Sequence, residues 1–253
     1  MPSPVTTDPL LPLVDLPGVS EACAKARADV DRLLNHRVLR KQSADVSGES
    51  LIRGARASAE LEDHGYQLEA VRSGSIDDPV VTGCLRVAGE LGRITDIWEK
   101  APLQAIAALH LQAAHGSLHR DDLARPVAGP EAAHRLQQLA DTVRAPRSRQ
   151  LPGLIVAAVV HGELLSVKPF AALNGVVARG AARVALISTG VDPKALAVPE
   201  VGHVAEKREY QHALAAYRTG TPDGVARWIV HCAQALSHGA VEGLAICEAV
   251  LRG

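Results

Sequence analysis

The stretch KPFAALNGVVAR, residues 168–179, joins two apolar segments and decides how the chain folds. The segments LIVAAVVHGELLSV (154–167) and VVARGAARVALIST (176–189) are apolar nearly all round, as in helices that are buried on every side. Pro169 cannot continue the first helix, and Gly175 tolerates the backbone angles of a tight turn. We therefore predict two buried helices that are joined by a short loop.

The start of the second helix is a candidate anion site. The first N–H groups of a helix have no partner within it, and the helix dipole places partial positive charge at the same end. Asn174 and Gly175 are residue types that suit this position, and Arg179 lies one turn inside the helix. Together with Lys168, these residues form a predicted binding site for a phosphate or a carboxylate.

The composition is that of a globular protein without a strong charge imbalance. Of the 253 residues, 47% are apolar and only 2% are aromatic, so the core must consist of Ala, Val, Leu and Ile. The 27 basic and 28 acidic residues nearly balance, so we expect neither nucleic acid nor a membrane as a partner. No apolar run reaches the ~18–20 residues of a membrane span. No signal-peptide pattern is found, and we expect a cytoplasmic protein.

The residues that most often bind metals are scattered. The cysteines show no C-x-x-C spacing and are interpreted as structural thiols; they are Cys23, Cys84, Cys232 and Cys247. His110 and His115 are five residues apart, which places them on different helix faces. We therefore predict no metal site.

Helical periodicity covers most of the chain, so we predict an all-α fold of eight to ten helices around the central helix-loop-helix. Residues 1–45 are predicted to form an N-terminal extension with one helix, and residues 46–253 the main helical domain. After a polar break at 42–48, Ser47 is predicted to cap a helix that ends near Glu62.

The C-terminal half contains two further loops and two further helices. The basic loop RAPRSRQLPG (144–153) is interpreted as solvated, with contacts to phosphates as the alternative. Residues 191–203 are interpreted as an irregular link because they contain two prolines and a glycine. Separate helices are predicted over 222–236 and 239–251.

The central loop resembles the signature of the Fic/Doc (Fido) family: His-Pro-Phe, two residues, Gly-Asn-Gly-Arg, two residues, Arg. The matching residues here are Pro169, Phe170, Asn174, Gly175 and Arg179. The resemblance implies an all-helical domain built around the two helices that flank the loop. It also implies a relation to enzymes that transfer a nucleoside monophosphate, usually AMP from ATP, to a protein hydroxyl.

The motif is degenerate at four positions. Lys168 stands where the resemblance implies the catalytic His, and Ala172 where it implies an acidic metal ligand. Leu173 replaces the first Gly, and Val176 replaces the first Arg. We therefore expect a protein that is impaired in catalysis, with no certain cofactor, and that retains a site for an anion or nucleotide phosphate or a role in binding a protein.

Two alternatives stay open. The first is an active transferase with altered catalytic residues, in which Lys168 binds phosphate, His161 or His203 is the base, and ATP with Mg²⁺ is required. The second is that the resemblance is accidental and the chain is another helical protein. A dinucleotide-dependent oxidoreductase is excluded because no G-x-G-x-x-G follows a strand pattern.

Ser58 and Glu62 are one turn apart on one helix face. Their spacing resembles the inhibitory helix of many Fic proteins, with Asp63 where Gly or Asn is usual. The resemblance implies that Glu62 pairs with Arg179 and blocks a phosphate position. It also implies a β-hairpin flap over 117–130, but SLHRDDLARPVAGP lacks the alternation of a hairpin, so we expect at most a short vestigial one.

Overall fold

A computed structural model of the chain describes residues 8–127 and 129–252, and within them the fold is all-α, as predicted. The α-helices are α1 (Val19–Leu34), α2 (Leu39–Leu61), α3 (Leu68–Arg72), α4 (Pro79–Trp98), α5 (Pro102–Ala114), α6 (Pro130–Arg144), α7 (Gly153–Val167), α8 (Asn174–Ser188), α9 (Pro199–Ala205), α10 (Lys207–Tyr217) and α11 (Pro222–Arg252). Their number slightly exceeds the predicted eight to ten, because the short helices α3 and α9 also form, the latter mostly within the segment 191–203 that was interpreted as an irregular link.

The predicted helix pair α7 and α8 is confirmed, and it occupies the centre of the fold. Helices α2, α4 and α5 pack against α8, while α6, α10 and α11 pack against α7. Gly180 makes one of these contacts possible, since a Cβ there would lie 2.8 Å from Val87 on α4. Because other helices pack against both α7 and α8, the two ends of the loop between them are fixed in position.

The vestigial hairpin over 117–130 is not formed in the described part of that segment. One isolated bridge joins His115 to Leu118, and a short 3₁₀ turn follows at Arg120–Asp122. The segment lacks the alternating apolar residues that would give a strand a buried face, and Pro126 cannot donate to a strand ladder.

The prediction of a polar break at 42–48 was wrong, and so was the prediction that Ser47 caps a helix. Helix α2 begins at Leu39, with a local kink at Gln42, and the Ser47 hydroxyl donates to the main-chain oxygen of Lys194. The polar residues here form the solvated face of a helix whose other face buries Val46. The predicted boundary at residues 45 and 46 lies inside α2; the division of the chain into two units stays a prediction.

The last two predicted helices are one helix, α11. The predicted break between residues 236 and 239 lies inside this helix, and Gly239 allows close packing there. A Cβ on Gly239 would lie 2.5 Å from the main-chain carbon of Val198, and the Gly239 carbonyl accepts a hydrogen bond from Val198 N–H at 3.0 Å. This contact attaches the start of α9 to the middle of α11.

The core is poor in aromatic residues, and Trp98 and Trp228 are its largest fully buried side chains. All four cysteines are buried, and none is in a disulfide. None of the helices in residues 8–127 and 129–252 combines the length and hydrophobicity needed to cross a bilayer.

Candidate functional site

The central loop is closed by the side chain of Asn174. Its amide Nδ2 donates to the Phe170 carbonyl at 2.7 Å, and its Oδ1 accepts from Phe170 N–H at 2.9 Å. Asn174 was predicted to bind the anion, but both ends of its side chain are used inside the loop. The side chain therefore sets the shape of the loop and leaves the helix N-terminus open for other groups.

Two residues of the loop have left-handed backbone angles. Lys168 ends α7 at φ 48°, and Leu173 precedes α8 at φ 56°. A non-glycine residue costs roughly 1–2 kcal/mol in this region, so the loop is strained at the position where the Fic/Doc signature has glycine. The Lys168 side chain is exposed, and no carboxylate of the described residues lies within salt-bridge distance of it.

Phe170 is fixed by a histidine that lies beneath it. The His110 ring stacks on Phe170 with centroids 3.9 Å apart, and its Nδ1 accepts from Ala124 N–H at 3.0 Å. Burial lowers the pKa of His110, which keeps the ring neutral and able to accept this hydrogen bond. Val127 N–H donates to the Pro169 carbonyl at 2.9 Å. The segment after α5 is thus bonded directly to the central loop.

Ser58, Glu62 and Arg179 meet in one hydrogen-bonded cluster. Arg179 Nε donates to Ser58 Oγ at 2.9 Å, and Nη2 donates to the Ser58 carbonyl at 3.0 Å and to Glu62 Oε1 at 2.7 Å. The Arg179 side chain is 4% exposed and that of Glu62 is 24% exposed. The predicted ion pair between Glu62 and Arg179 is confirmed as a contact, while its regulatory role stays a prediction.

The carboxylate of Glu62 lies directly on Gly175, at the first turn of α8. A Cβ on Gly175 would overlap Glu62 Oε1 and would lie 3.0 Å from Arg179 Nη1. Glu62 therefore occupies the position at which the sequence predicts an anion, beside the helix N-terminus and the arginine. The position is thus already filled by a carboxylate of the chain itself, that of Glu62.

The space behind Arg179 holds a cluster of buried rings. His161 Nε2 is 2.9 Å from the Tyr210 hydroxyl, and His203 Nδ1 is 3.0 Å from His231 Nε2. Burial and then the charge of Arg179 hold the pKa of His161 well below its usual range, and burial with the neighbouring imidazoles does the same for His203. Burial raises the pKa of Tyr210 to about 12.

This cluster was not predicted as a unit. Its members come from helices α7, α9, α10 and α11, which are far apart in sequence, so no local spacing could reveal it. A cavity of about 30 Å³ separates His161 and His203 from Arg179 and Glu200, with room for about one water molecule.

The catalytic positions that the resemblance implies offer little chemistry. Val176 is buried, and Ala172 has no side chain that could bind a metal. Among the described residues no group of three or more His, Cys, Asp or Glu side chains could hold a metal ion. His161 and His203 lie inside the bundle and cannot reach a hydroxyl outside the protein without rearrangement.

Solved structures that are similar to this chain include Fic proteins. A Fic family protein from Desulfovibrio desulfuricans superposes with a TM-score of 0.73 at 18% identity, over 90% of this chain and 74% of that chain. Fic-1 from C. elegans superposes with a TM-score of 0.64 at 16% identity, over 94% of this chain and 74% of that chain. No protein-family model and no curated protein matches the chain. The chain thus has the fold of Fic proteins.

Proposed function

We propose that this protein is a Fic-like binding protein that is impaired in nucleotidyl transfer. It binds an anionic group, such as a nucleotide phosphate, at the N-terminus of α8 when Glu62 leaves. The observation that carries the proposal is the position of the Glu62 carboxylate, on Gly175 and 2.7 Å from Arg179. A carboxylate in this place indicates that the site suits an oxyanion.

The surrounding residues support binding more than chemistry. Transfer of a nucleoside monophosphate requires a base near the attacking hydroxyl and a divalent ion on the phosphates. Lys168 is at the position where the resemblance implies a histidine base, and a lysine ammonium group has three donors and no acceptor for a proton. Ala172 offers no ligand to a metal. Lys168 and Arg179 can instead supply two positive charges to a phosphate.

The test is calorimetric titration of the purified protein with ATP, with and without Mg²⁺. We expect weak binding to the native chain, because ATP must displace Glu62 from Arg179. Glu62→Gly should tighten binding by at least about tenfold, which corresponds to ~1.4 kcal/mol. Arg179→Ala should abolish binding. Glu60→Gln is the matched control: it removes a charge from the same helix end, but Glu60 pairs with Arg56 and not with the site.

Three results would contradict the proposal. Transfer of label from α-labelled ATP to protein, dependent on Mg²⁺, would show an active transferase. Equal ATP binding by the native and the Glu62→Gly protein would show that Glu62 does not compete with phosphate. Absence of binding in all variants would leave a protein partner as the reason for keeping the fold.

A further inference from the structure

A second cavity lies at the other end of the α7–α8 pair, away from the central loop. Its volume is about 550 Å³, and it is bounded by the last residues of α4, the loop after α6 and the first turn of α7. The cavity is large enough for a small organic molecule, since ligand pockets generally measure roughly 300–1,000 Å³.

The walls of this cavity combine apolar surface with guanidinium groups. The apolar part is formed by Trp98, Val143, Leu151 and Val156. The charged part comes from the loop RAPRSRQLPG, which supplies three arginines, Arg144, Arg147 and Arg149, while Glu99 is the acidic residue on the lining. A ligand that matches both parts has an apolar or aromatic body and one anionic group.

Arg147 is the least satisfied of these arginines. Its Nη2 donates to the Val143 carbonyl at 3.0 Å, whereas its Nη1 is shielded from water and has no hydrogen-bond partner among residues 8–127 and 129–252. Burial lowers the pKa of Arg147, and Asp8 and Glu99 only partly offset this effect. Arg147 lies on the cavity wall, but this N–H group is closed off from the cavity, so an anion there would accept from Nη1 once the guanidinium turns toward it.

The other arginines in the protein interior do not share this condition. Arg179 pairs with Glu62, and Arg183 donates to Glu200 at 2.9 Å. Burial also lowers the pKa of Arg86, but its guanidinium donates to the carbonyls of Gln112 and His115. In the described part of the chain, Arg147 is the arginine that keeps a shielded N–H group without an acceptor.

The neighbouring arginines limit the charge of the ligand. Arg144 is already bonded to Asp141 at 2.7 Å, and Glu99 adds a negative charge to the lining. Arg149 is exposed and forms no salt bridge with the described residues. Arg147 and Arg149 therefore remain for the ligand, which matches one phosphate group better than a polyphosphate chain.

We propose that this cavity binds a small phosphate monoester with an apolar or aromatic body, whose phosphate lies between Arg147 and Arg149. The site is separate from the one at the N-terminus of α8 and does not depend on the function proposed for that site. Trp98 and Leu151 would contact the body of the ligand.

Phenyl phosphate is a suitable probe, and the chain contains its own reporters. It has two tryptophans, both buried: Trp98, 1% exposed, belongs to the wall of the cavity, whereas Trp228 lies away from the cavity and donates to the Ala158 carbonyl at 2.7 Å. Only the indole ¹H–¹⁵N resonance of Trp98 should shift on titration with phenyl phosphate. Inorganic phosphate should bind more weakly because it lacks the apolar body, and benzoate should bind more weakly because it lacks the dianion.

Variants of the full chain complete the test. Arg147→Ala should weaken phenyl phosphate binding at least about tenfold, and Arg147→Lys should recover part of the loss. Arg32→Ala, which removes an exposed arginine of α1, should leave binding unchanged. The unchanged Trp228 resonance in each variant would show that the fold is retained.

The proposal would be overturned by a Trp98 resonance that does not move up to about 10 mM phenyl phosphate, since a ligand with a ~1 mM dissociation constant would then be nearly saturating. Equal binding by native and Arg147→Ala protein would also overturn it. Benzoate binding as tight as phenyl phosphate would exclude a phosphate-specific site.

Discussion

An arginine is shielded from water at each end of the α7–α8 pair, but among the described residues only the arginine at the loop end forms an ion pair with a carboxylate. At the loop end, Arg179 is bonded to Ser58 and Glu62, and Glu62 lies on Gly175. At the other end, Arg147 keeps a shielded N–H group without an acceptor.

The pKa values of the two arginines are shifted in opposite directions. Burial alone would lower the pKa of Arg179, but Tyr210 and Glu62 raise it above its ordinary value. Burial lowers the pKa of Arg147, since Asp8 and Glu99 compensate only in part. Arg179, which is paired with a carboxylate of the same chain, contributes to the fold, and it becomes available to a ligand only when Glu62 moves. Arg147 has no such ion pair among the described residues, and this observation supports the phosphate site proposed above.

Acid pH should disturb the loop end most strongly, through the histidines behind Arg179. Burial lowers the pKa of His231 to about 4 and holds the pKa values of His161 and His203 well below their usual range. The unfolded chain, with imidazole pKa values of ~6.5, then binds more protons than the folded chain, so stability is full above that pH and falls below it. At about pH 5.5 each histidine should cost ~1.4 kcal/mol, or ~4 kcal/mol for the three.

Urea unfolding at a series of pH values measures this effect. His203→Gln should remove about one third of the acid slope, whereas His119→Gln, at an exposed position, should not change it. A stability that is flat between about pH 7 and pH 5.5 would show that the three rings are not kept neutral by the fold.

The loop-end cluster shows how far sequence reasoning reaches in this protein. The helix pair could be predicted from its apolar pattern, and spacing within one helix placed Ser58 and Glu62 on one face. Their contact with Arg179 was implied by the resemblance to Fic proteins. The role of Asn174 inside the loop could not, because an amide at a helix start suits both an anion site and a turn. The partners of His161, His203 and His231 lie on helices that meet only in the folded chain.

Helix ends were less predictable than helix centres for a related reason. Gly239 and the polar residues at 42–48 are the types that usually interrupt helices. In α11 the glycine is required by the close approach of Val198, and in α2 the polar residues face solvent. Whether such residues break a helix is decided by what packs against it, and this information is not local.

Replacing each arginine by methionine tests the contrast between the two ends directly. Arg179→Met leaves the Glu62 carboxylate and the Ser58 groups without their donor, and it should cost about 3 kcal/mol of unfolding free energy. Arg147→Met removes a shielded N–H donor that has no acceptor among the described residues, so it should not lower the unfolding free energy and should raise it by up to about 1 kcal/mol. Urea unfolding at neutral pH compares the two variants under one condition.

Equal losses in the two variants would contradict this contrast. The double variant Arg179→Met with Glu62→Gln should lose less than the sum of the single variants, because the second change removes the unpaired charge that the first one leaves.

Gly175→Ala should have a smaller effect and tests the contact that places Glu62 on α8. The new methyl group would overlap Glu62 Oε1, so the carboxylate must move away from Arg179. Alanine within a helix is otherwise favoured over glycine by roughly 0.5–1 kcal/mol. We expect a net loss of about 1–2 kcal/mol, mainly from the weakened ion pair.

The same substitution should change sign once Glu62 is removed. In the Glu62→Gly background two of the three atoms nearest to the methyl group are removed and Arg179 Nη1, at 3.0 Å, remains, so Gly175→Ala should be neutral or stabilising. Gly48→Ala in α2 supplies the reference, because no atom outside its own helix lies within 4 Å of a Cβ there. If Gly175→Ala destabilises both backgrounds equally, the glycine is required by the helix start itself and not by the carboxylate that lies on it. The contact between α2 and the start of α8 would then depend on the hydrogen bonds between Arg179 and Ser58. The proposed competition between Glu62 and a phosphate would lose its steric basis.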